Sequence, residues 1–410
     1  MKIAIVGGGA AGLTTAYLLD KTHDITLFEK QPILGGNVRT IGKNVSSDRV
    51  PDGTIIDNGV IEFQLDHFVN FHKLLDRLGV EYKKIEGGSS SLFLANGRYI
   101  LGPGMLKHRS QSFFDRMLGS LKLMRLLPYY WESYPTDPAE LRNRPLSDFR
   151  RDDNHWHIWQ KMLLMYGYSI PYSKIGDFPA EIAMPVLHQS GRGTRWTRII
   201  GGVYSYMEAI MATLESEIRV STTIKAVRRD AAGVELTLAT GEQARFDKLI
   251  FATPPDQVLK MLADPNEQER NRFSAWRSNE AITHIHTDLS MYQRYSVTAH
   301  SEFDVFQKER NGDAGYNAYL NRLCGLPEVA PHYSLAYNLE EWLDPAKIVH
   351  TQHHQTPLYT AEALSHREAV RATNGENHTY HAGAWLGNGL HEGAIDSALA
   401  VSRLLGGVGL

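Results

Sequence analysis

The most constraining feature stands at the start of the chain, where the apolar run Lys2-Ile3-Ala4-Ile5-Val6 breaks directly into Gly7-Gly8-Gly9-Ala10-Ala11-Gly12. A continuous apolar run is what a parallel strand covered on both faces requires. The glycines are followed by a helical stretch, Leu13 to Leu19, and by a second strand, Asp24-Ile25-Thr26-Leu27-Phe28-Glu29. Gly7, Gly9 and Gly12 therefore form G-x-G-x-x-G in a strand-turn-helix context, and Glu29 ends the second strand where a carboxylate can accept from a ribose hydroxyl. Gly7 permits the tight turn, Gly9 lets backbone approach a pyrophosphate, and Gly12 allows helix to pack closely on strand. The helix start at Ala10 and Ala11 offers unpaired N–H groups and a positive dipole end. This predicts a dinucleotide-binding βαβ unit of Rossmann type, without separating a nicotinamide from a flavin ligand.

At 410 residues the chain exceeds one compact core, so two interleaved domains are expected. The net charge of -3 gives no electrostatic case for nucleic acid. Cys324 is the single cysteine, which excludes an internal disulfide and a CxxC pair and fits a reducing compartment. The N-terminal apolar stretch is short and broken by glycines, unlike a signal peptide or a spanning helix, so a cytoplasmic protein is expected. From Ile218 to Leu262 the pattern alternates as strands with a hairpin turn at Thr240-Gly241, and Gly393 to Leu405 reads as a helix. The stretches between, rich in Tyr, Trp, His and Met, are assigned to a substrate domain inserted twice. The expected division is 1–65, 199–264 and 375–410 for an α/β Rossmann-type cofactor domain, with 66–198 and 265–374 as an α+β substrate domain.

Beyond Glu29 and Lys30 comes Leu34-Gly35-Gly36-Asn37-Val38-Arg39, then Asp57-Asn58-Gly59. These segments resemble the flavin amine-oxidase superfamily, which includes amine oxidases, protoporphyrinogen oxidase and phytoene desaturases. The resemblance implies that Gly35 and Gly36, with Arg39 and Asn58, contact pyrophosphate and flavin of FAD. The family arginine usually follows the paired glycines directly; here Asn37 stands there and Arg39 lies two places on. Gly201-Gly202 with the helix after it, Thr223-Ile224-Lys225-Ala226-Val227, and Phe246 to Pro255 resemble the second FAD-contacting unit. By that resemblance the Ile224 backbone pairs with adenine and Thr253 lies at the cofactor. The run Ala382-Gly383-Ala384-Trp385 to Leu390-His391-Glu392-Gly393-Ala394 resembles the final motif, a glycine turn opening a helix under the flavin. Gly383, Leu390, the His391 N–H and Ala394 are then cofactor contacts, and N–H groups at that helix start would stabilise reduced flavin. A narrower similarity, in Ile285-His286-Thr287-Asp288, Asn321-Arg322-Leu323 and Gly389 to Gly393, is to a bacterial branch of FAD-binding proteins linked to fatty-acyl desaturation.

The resemblance implies an FAD-dependent oxidoreductase that removes a hydride and leaves a C=C or C=N bond. No second G-x-G-x-x-G follows, so oxygen or another carrier is expected to reoxidise the flavin, and Cys324 precedes the tethering region, so FAD is expected to be non-covalent. Alignment puts Leu390 where amine oxidases carry a cage aromatic, and His284 near their lysine that faces flavin N5. In a strand, His284, His286 and Asp288 share one face. His284 or His286 is thus the candidate proton acceptor, against the reading that one of them only hydrogen-bonds a neighbouring strand. His350, His353 and His354 are read as solvated loop histidines before Pro357, with no metal site expected. Glu392 is read as a capping residue, and Tyr166, Tyr168 and Tyr172 as pocket-lining candidates. The apolar segment Phe113 to Trp131 reads as a roof helix of the substrate domain in preference to a membrane-docking surface. An apolar or acyl-lipid substrate is the first expectation. The alternatives are an amine, a redox-neutral double-bond isomerisation, and a non-catalytic flavoprotein partner.

Overall fold

The computed structural model describes residues 1–85, 89–102, 113–124, 137–149, 155–189, 195–297, 301–308 and 312–410. A five-stranded parallel sheet runs in the order Glu217–Arg219, Asp24–Phe28, Lys2–Val6, Lys248–Phe251, Thr379–His381. Three stretches far apart in sequence therefore meet in one sheet. The two central strands are buried along almost their whole length, as their unbroken apolar runs require. The Ala10–Leu19 helix leaves the first strand and packs against the C-terminal His391–Leu405 helix, with Leu13, Ala16, Ile395 and Ala398 in one buried cluster. A three-stranded antiparallel sheet follows the hairpin expected at Thr240-Gly241: Ile224–Asp230, Gly233–Leu238 and Gln243–Phe246.

The second layer is a seven-stranded mixed sheet in the order Ile348–Leu358, Arg277–His286, Ser334–Tyr337, Ala314–Tyr319, Phe303–Gln307, Ser90–Phe93, Tyr99–Ile100. Two layers thus stand where the sequence led us to expect two domains. Two expectations fail. The histidines at 350–354 are not in a loop: Ile348–Leu358 is an eleven-residue strand, and His354 is buried. Its polar composition and Pro357 hid it, but it is the outermost strand of the sheet, where a proline costs no ladder hydrogen bond on the solvent side. The Phe113–Met124 helix does not bury its apolar stripe as a roof would; Phe114, Met117, Leu118, Leu121 and Met124 are exposed. The rest of that segment, 125–131, lies outside the described residues. Among the described residues no helix is long and apolar enough to cross a membrane.

Candidate active site

The first glycine turn is held by backbone bonds. Gly7 N–H donates to Phe28 O at 2.8 Å, and Gly35 N–H donates to Gly8 O at 2.8 Å. Glu29 accepts from Gly8 N at 2.7 Å and from Gln31 N at 2.8 Å, so both its carboxylate oxygens fix the loop. Lys30, next to it, is exposed. The Ala10–Leu19 helix starts at Gly9 with no side-chain cap and no acidic residue in its first turn, leaving its positive end uncompensated. A Cβ on Gly12 would stand 1.9 Å from the Gly7 carbonyl oxygen, so only glycine lets helix and turn meet there. At Gly9 the nearest atom to an added Cβ is the Gly36 Cα, 3.7 Å away. A Cβ on Gly36, in turn, would stand 3.1 Å from Gly9 Cα, so the two glycines pack directly on one another, and with Gly36 exposed and at φ +57° the pair floors a surface slot.

Around this slot the sequence-predicted segments assemble. Ser221 N and Thr222 N donate to Gln31 O and Glu29 O at 2.9 and 2.8 Å, which brings the buried Ile224 beside the Glu29 end of the slot. Thr253 follows the central Lys248–Phe251 strand next to Gly7, and its Oγ1 is buried without a hydrogen-bond partner among the described residues. Arg39 is buried, donating from Nη1 to Val38 O and Leu34 O at 3.1 and 3.3 Å; burial lowers its pKa. Asn37 turns outward and donates to Gln355 O at 3.1 Å, tying the glycine segment to the edge strand. Asp57, which sequence reasoning passed over, locks two segments together. Its Oδ1 accepts from Thr40 Oγ1 at 2.6 Å and from Val203 N at 2.8 Å, and burial pushes its pKa up to about 7.

Beyond Gly36 stands a polar cluster formed by Asn58, Thr283 and His354. Thr283 Oγ1 lies 2.7 Å from Asn58 Oδ1 and 3.1 Å from His354 Nε2. The hydroxyl donates to the amide oxygen, which requires His354 to carry its proton on Nε2 and donate back. Burial, then the charge of Arg39, lowers His354 to about 4, so it is neutral at pH 7. His354 lies so close to Gly59 that a Cβ there would be 2.6 Å from His354 Cε1. Asn58 Nδ2 is fully buried with no partner among the described residues.

The Arg277–His286 strand brings Thr283, and neither His284 nor His286, to this cluster. Alternation sends Thr283 toward Asn58 and His284 to the opposite face. His284 is only half-buried and bonds Thr351 Oγ1 at 3.0 Å. His286 is sealed in a separate network, 2.8 Å from Asn317 Oδ1 and accepting from Asp288 N at 3.1 Å, and burial lowers it to about 4. The strand register against its edge neighbour shifts between Ile285 and His286. The sequence signal for His354 was present in Gly59, which must lack a side chain for the ring to approach.

At the C-terminus, Gly383 N donates to Ser397 Oγ at 2.8 Å, and Asn388 Oδ1 accepts from Leu390 N and Gly393 N at 3.0 and 3.1 Å, shaping the turn that opens the last helix. Leu390 is half-buried near Gly167, and Ala394 is buried. Tyr168 donates to Asn388 O at 3.0 Å, while Tyr166 packs edge-on against Phe303 and Tyr316. His391 Nε2 is 2.8 Å from Tyr206 Oη, and burial lowers its pKa to about 3. Glu392 caps a different helix from its own: it accepts from Asn70 N and Phe71 N at 2.7 and 2.9 Å, at the start of Val69–Leu78.

The sequence matches the family described as flavin containing amine oxidoreductase over residues 10–288. The chain belongs to this family. It has the family's fold. It is 31% identical over 98 residues to a zeta-carotene desaturase of Zea mays, an overlap of 24% of this chain and 16% of that protein. The chain spans less than two thirds of the length of the curated relatives it matches first, 16%, 55% and 60%. Among solved structures, a putrescine oxidase bound to putrescine superimposes with a TM-score of 0.66 at 14% identity, covering 99% of both chains. A fatty acid isomerase of P. acnes that produces CLA superimposes with a TM-score of 0.65 at 17% identity, covering 98% of this chain and 97% of that one.

The site suits a flavin dinucleotide on its own chemistry. An uncapped helix start, a glycine-lined slot, and two buried polar atoms left without partners, Thr253 Oγ1 and Asn58 Nδ2, are what a long anionic, hydrogen-bonding ligand would complete.

Proposed function

We propose that this protein holds FAD non-covalently and uses it to dehydrogenate an apolar, acyl-lipid substrate, leaving a C=C bond. The observation that carries the reading is the convergence of the Gly9–Gly36 pair with the Thr283–His354–Asn58 cluster, which presents a hydroxyl and a neutral imidazole, with burial and then the nearby Arg39 charge holding that imidazole neutral. Residues 1–65, 199–264 and 375–410 would form the FAD domain, and 66–198 with 265–374 the substrate domain. The amides of Gly9, Ala10 and Ala11 would hold the pyrophosphate, Glu29 the ribose, and Ile224 the adenine. Bound FAD supplies a two-electron acceptor for the hydride. Thr283 and Asn58 fix His354 in one tautomer, so its Nδ1 is left as a neutral acceptor that can order a water, which takes the substrate proton. We assign that role to His354 rather than to His284 or His286. Non-covalent attachment is supported by Cys324, whose thiol burial pushes far above its ordinary range, away from the thiolate that a tether needs. Leu390 in place of a cage aromatic supports an apolar substrate. Oxygen is the proposed acceptor, and the single cysteine supports work in the cytoplasm.

A specific observation favours an amine as the second reading. Glu62, a few residues beyond Asn58, has no cationic partner among the described residues, and burial followed by the Glu302 charge pushes its carboxyl up to about 8. An ammonium group would relieve both penalties.

Anaerobic mixing of the yellow protein with acyl lipids and with amines, followed at the flavin absorbance, tests this. Bleaching by acyl lipids is expected; bleaching by amines alone would transfer the function to the second reading. Conversion of lipid double bonds without oxygen uptake would mean a redox-neutral isomerase. Flavin that no substrate of either class bleaches would make the chain a non-catalytic flavoprotein.

A further inference from the structure

Of the twelve large apolar side chains exposed among the described residues, five lie on one helix, Phe113–Met124. Phe114, Met117, Leu118, Leu121 and Met124 are each between 43% and 64% exposed. At about 100° per residue they fall within one face about 120° wide, the stripe an amphipathic helix normally buries. The opposite side is what holds the helix to the protein. Gly119 is buried there, and Lys122 Nζ stands 5.3 Å from the Tyr99 ring centroid and donates to Tyr99 O at 3.4 Å. The helix therefore lies on the edge strand Tyr99–Ile100 with its apolar face turned outward.

Charge selects what covers that face. Between residues 107 and 125 the sequence carries, besides the Lys122 that faces Tyr99, the cations Lys107, Arg109, Arg116 and Arg125 against one acid, Asp115, in a chain of net charge -3. Two copies of this chain meeting through the stripe would bring like charges together. A surface that is apolar within and anionic at its rim would satisfy both the stripe and the cations. The sequence continues through Leu126-Leu127-Pro128 into Tyr129-Tyr130-Trp131, residue types that favour the bilayer interface. We propose that the Phe113–Met124 helix docks this protein flat on a bilayer surface that carries anionic lipid. The inference rests on exposure and charge and not on the substrate reading: an amine oxidase could dock in the same way.

The test is flotation of the flavin-loaded protein with vesicles of phosphatidylcholine alone and of phosphatidylcholine mixed with phosphatidylglycerol. Binding to the anionic vesicles is expected, weaker by about tenfold or more on phosphatidylcholine alone and falling with added salt, because surface charges are screened. The combined variant Phe114→Ser, Leu118→Ser, Leu121→Ser changes only exposed positions and should keep its flavin and its Tm. Its binding should fall at least about tenfold. Wild-type protein that stays in the bulk with anionic vesicles would overturn the proposal, as would a triple variant that floats like the wild type. A wild-type dimer that the same substitutions dissociate would assign the stripe to a second copy instead.

Discussion

Replacing Gly9 and Gly12 separately by alanine asks whether the first glycine turn is built around a ligand or merely around itself. At Gly12 the new Cβ would stand 1.9 Å from the Gly7 carbonyl oxygen and 3.1 Å from its carbon. Ordinary contact between carbon and a backbone atom is about 3.5 Å, so helix and turn must separate by roughly 1.5 Å, into the packed face between the Ala10–Leu19 and His391–Leu405 helices. Overpacking of that kind costs about 1–3 kcal/mol and more where backbone must move. Gly9 differs. It has φ -83° and ψ -170°, extended backbone open to any residue, and its Cβ would meet only the Gly36 Cα at 3.7 Å. The flavin-free Gly9→Ala protein should therefore melt at the wild-type temperature or slightly above it, since alanine removes freedom from the unfolded chain worth about 0.4–1 kcal/mol. Flavin retention should fall sharply, because a methyl group then occupies the slot. Losing one hydrogen bond to a charged group, about 1.5–3 kcal/mol, weakens binding roughly 10- to 150-fold. Bound flavin per chain after gel filtration, and Tm of the flavin-free protein, measure the two effects. The reasoning is refuted if Gly9→Ala holds flavin as tightly as the wild type, or if it loses stability as Gly12→Ala does.

Thr283→Val keeps the shape but leaves Asn58 Oδ1 and His354 Nε2 without their shared partner, so stability should drop by about 1–3 kcal/mol. Flavin should stay bound with a shifted reduction potential; an unchanged potential would place the cluster away from the flavin. Asp57 bears on pH. Its folded pKa, near 7, lies above the unfolded 3.8, so its contribution is most favourable below pH 3.8 and is lost as pH rises through 7. Asp57→Asn can still accept from Thr40 and Val203, and should flatten the pH profile and stabilise the protein by on the order of 2 kcal/mol at pH 8, read by denaturant titration; a profile parallel to the wild type would contradict this. Glu392→Ala leaves the Asn70 and Phe71 N–H groups without acceptors at a helix start, which should cost about 1–2 kcal/mol, visible as a lower Tm. An unaltered Tm would show that water replaces the carboxylate.

The parts of this molecule legible in its sequence are those where a few adjacent residues carry the whole constraint. The Gly7–Gly12 turn, the strand before it and the hairpin at Thr240-Gly241 are local events, and each lies where the spacing puts it. The facing of Thr283 was not legible, because in a strand a one-residue error in alignment reverses the face, and a run containing His284, His286 and Asp288 invited that error. His354 was hidden by strand position: an edge strand tolerates Pro357 and a mostly polar composition, so neither its periodicity nor its punctuation distinguishes it from a loop. Asp57 and Glu392 act on segments more than a hundred residues away, which one sequence without its fold cannot reveal.

The parallel sheet that begins at Lys2 receives its outermost partner only at Thr379–His381, and the helix that covers it and caps Val69–Leu78 comes later still. The apolar strand Lys2–Val6 thus shares a sheet with residues nearly four hundred positions downstream, and it stays open until they are in place. A chain that lacks the Thr379–His381 strand should leave that sheet unfinished and its apolar strands exposed, prone to chaperone capture.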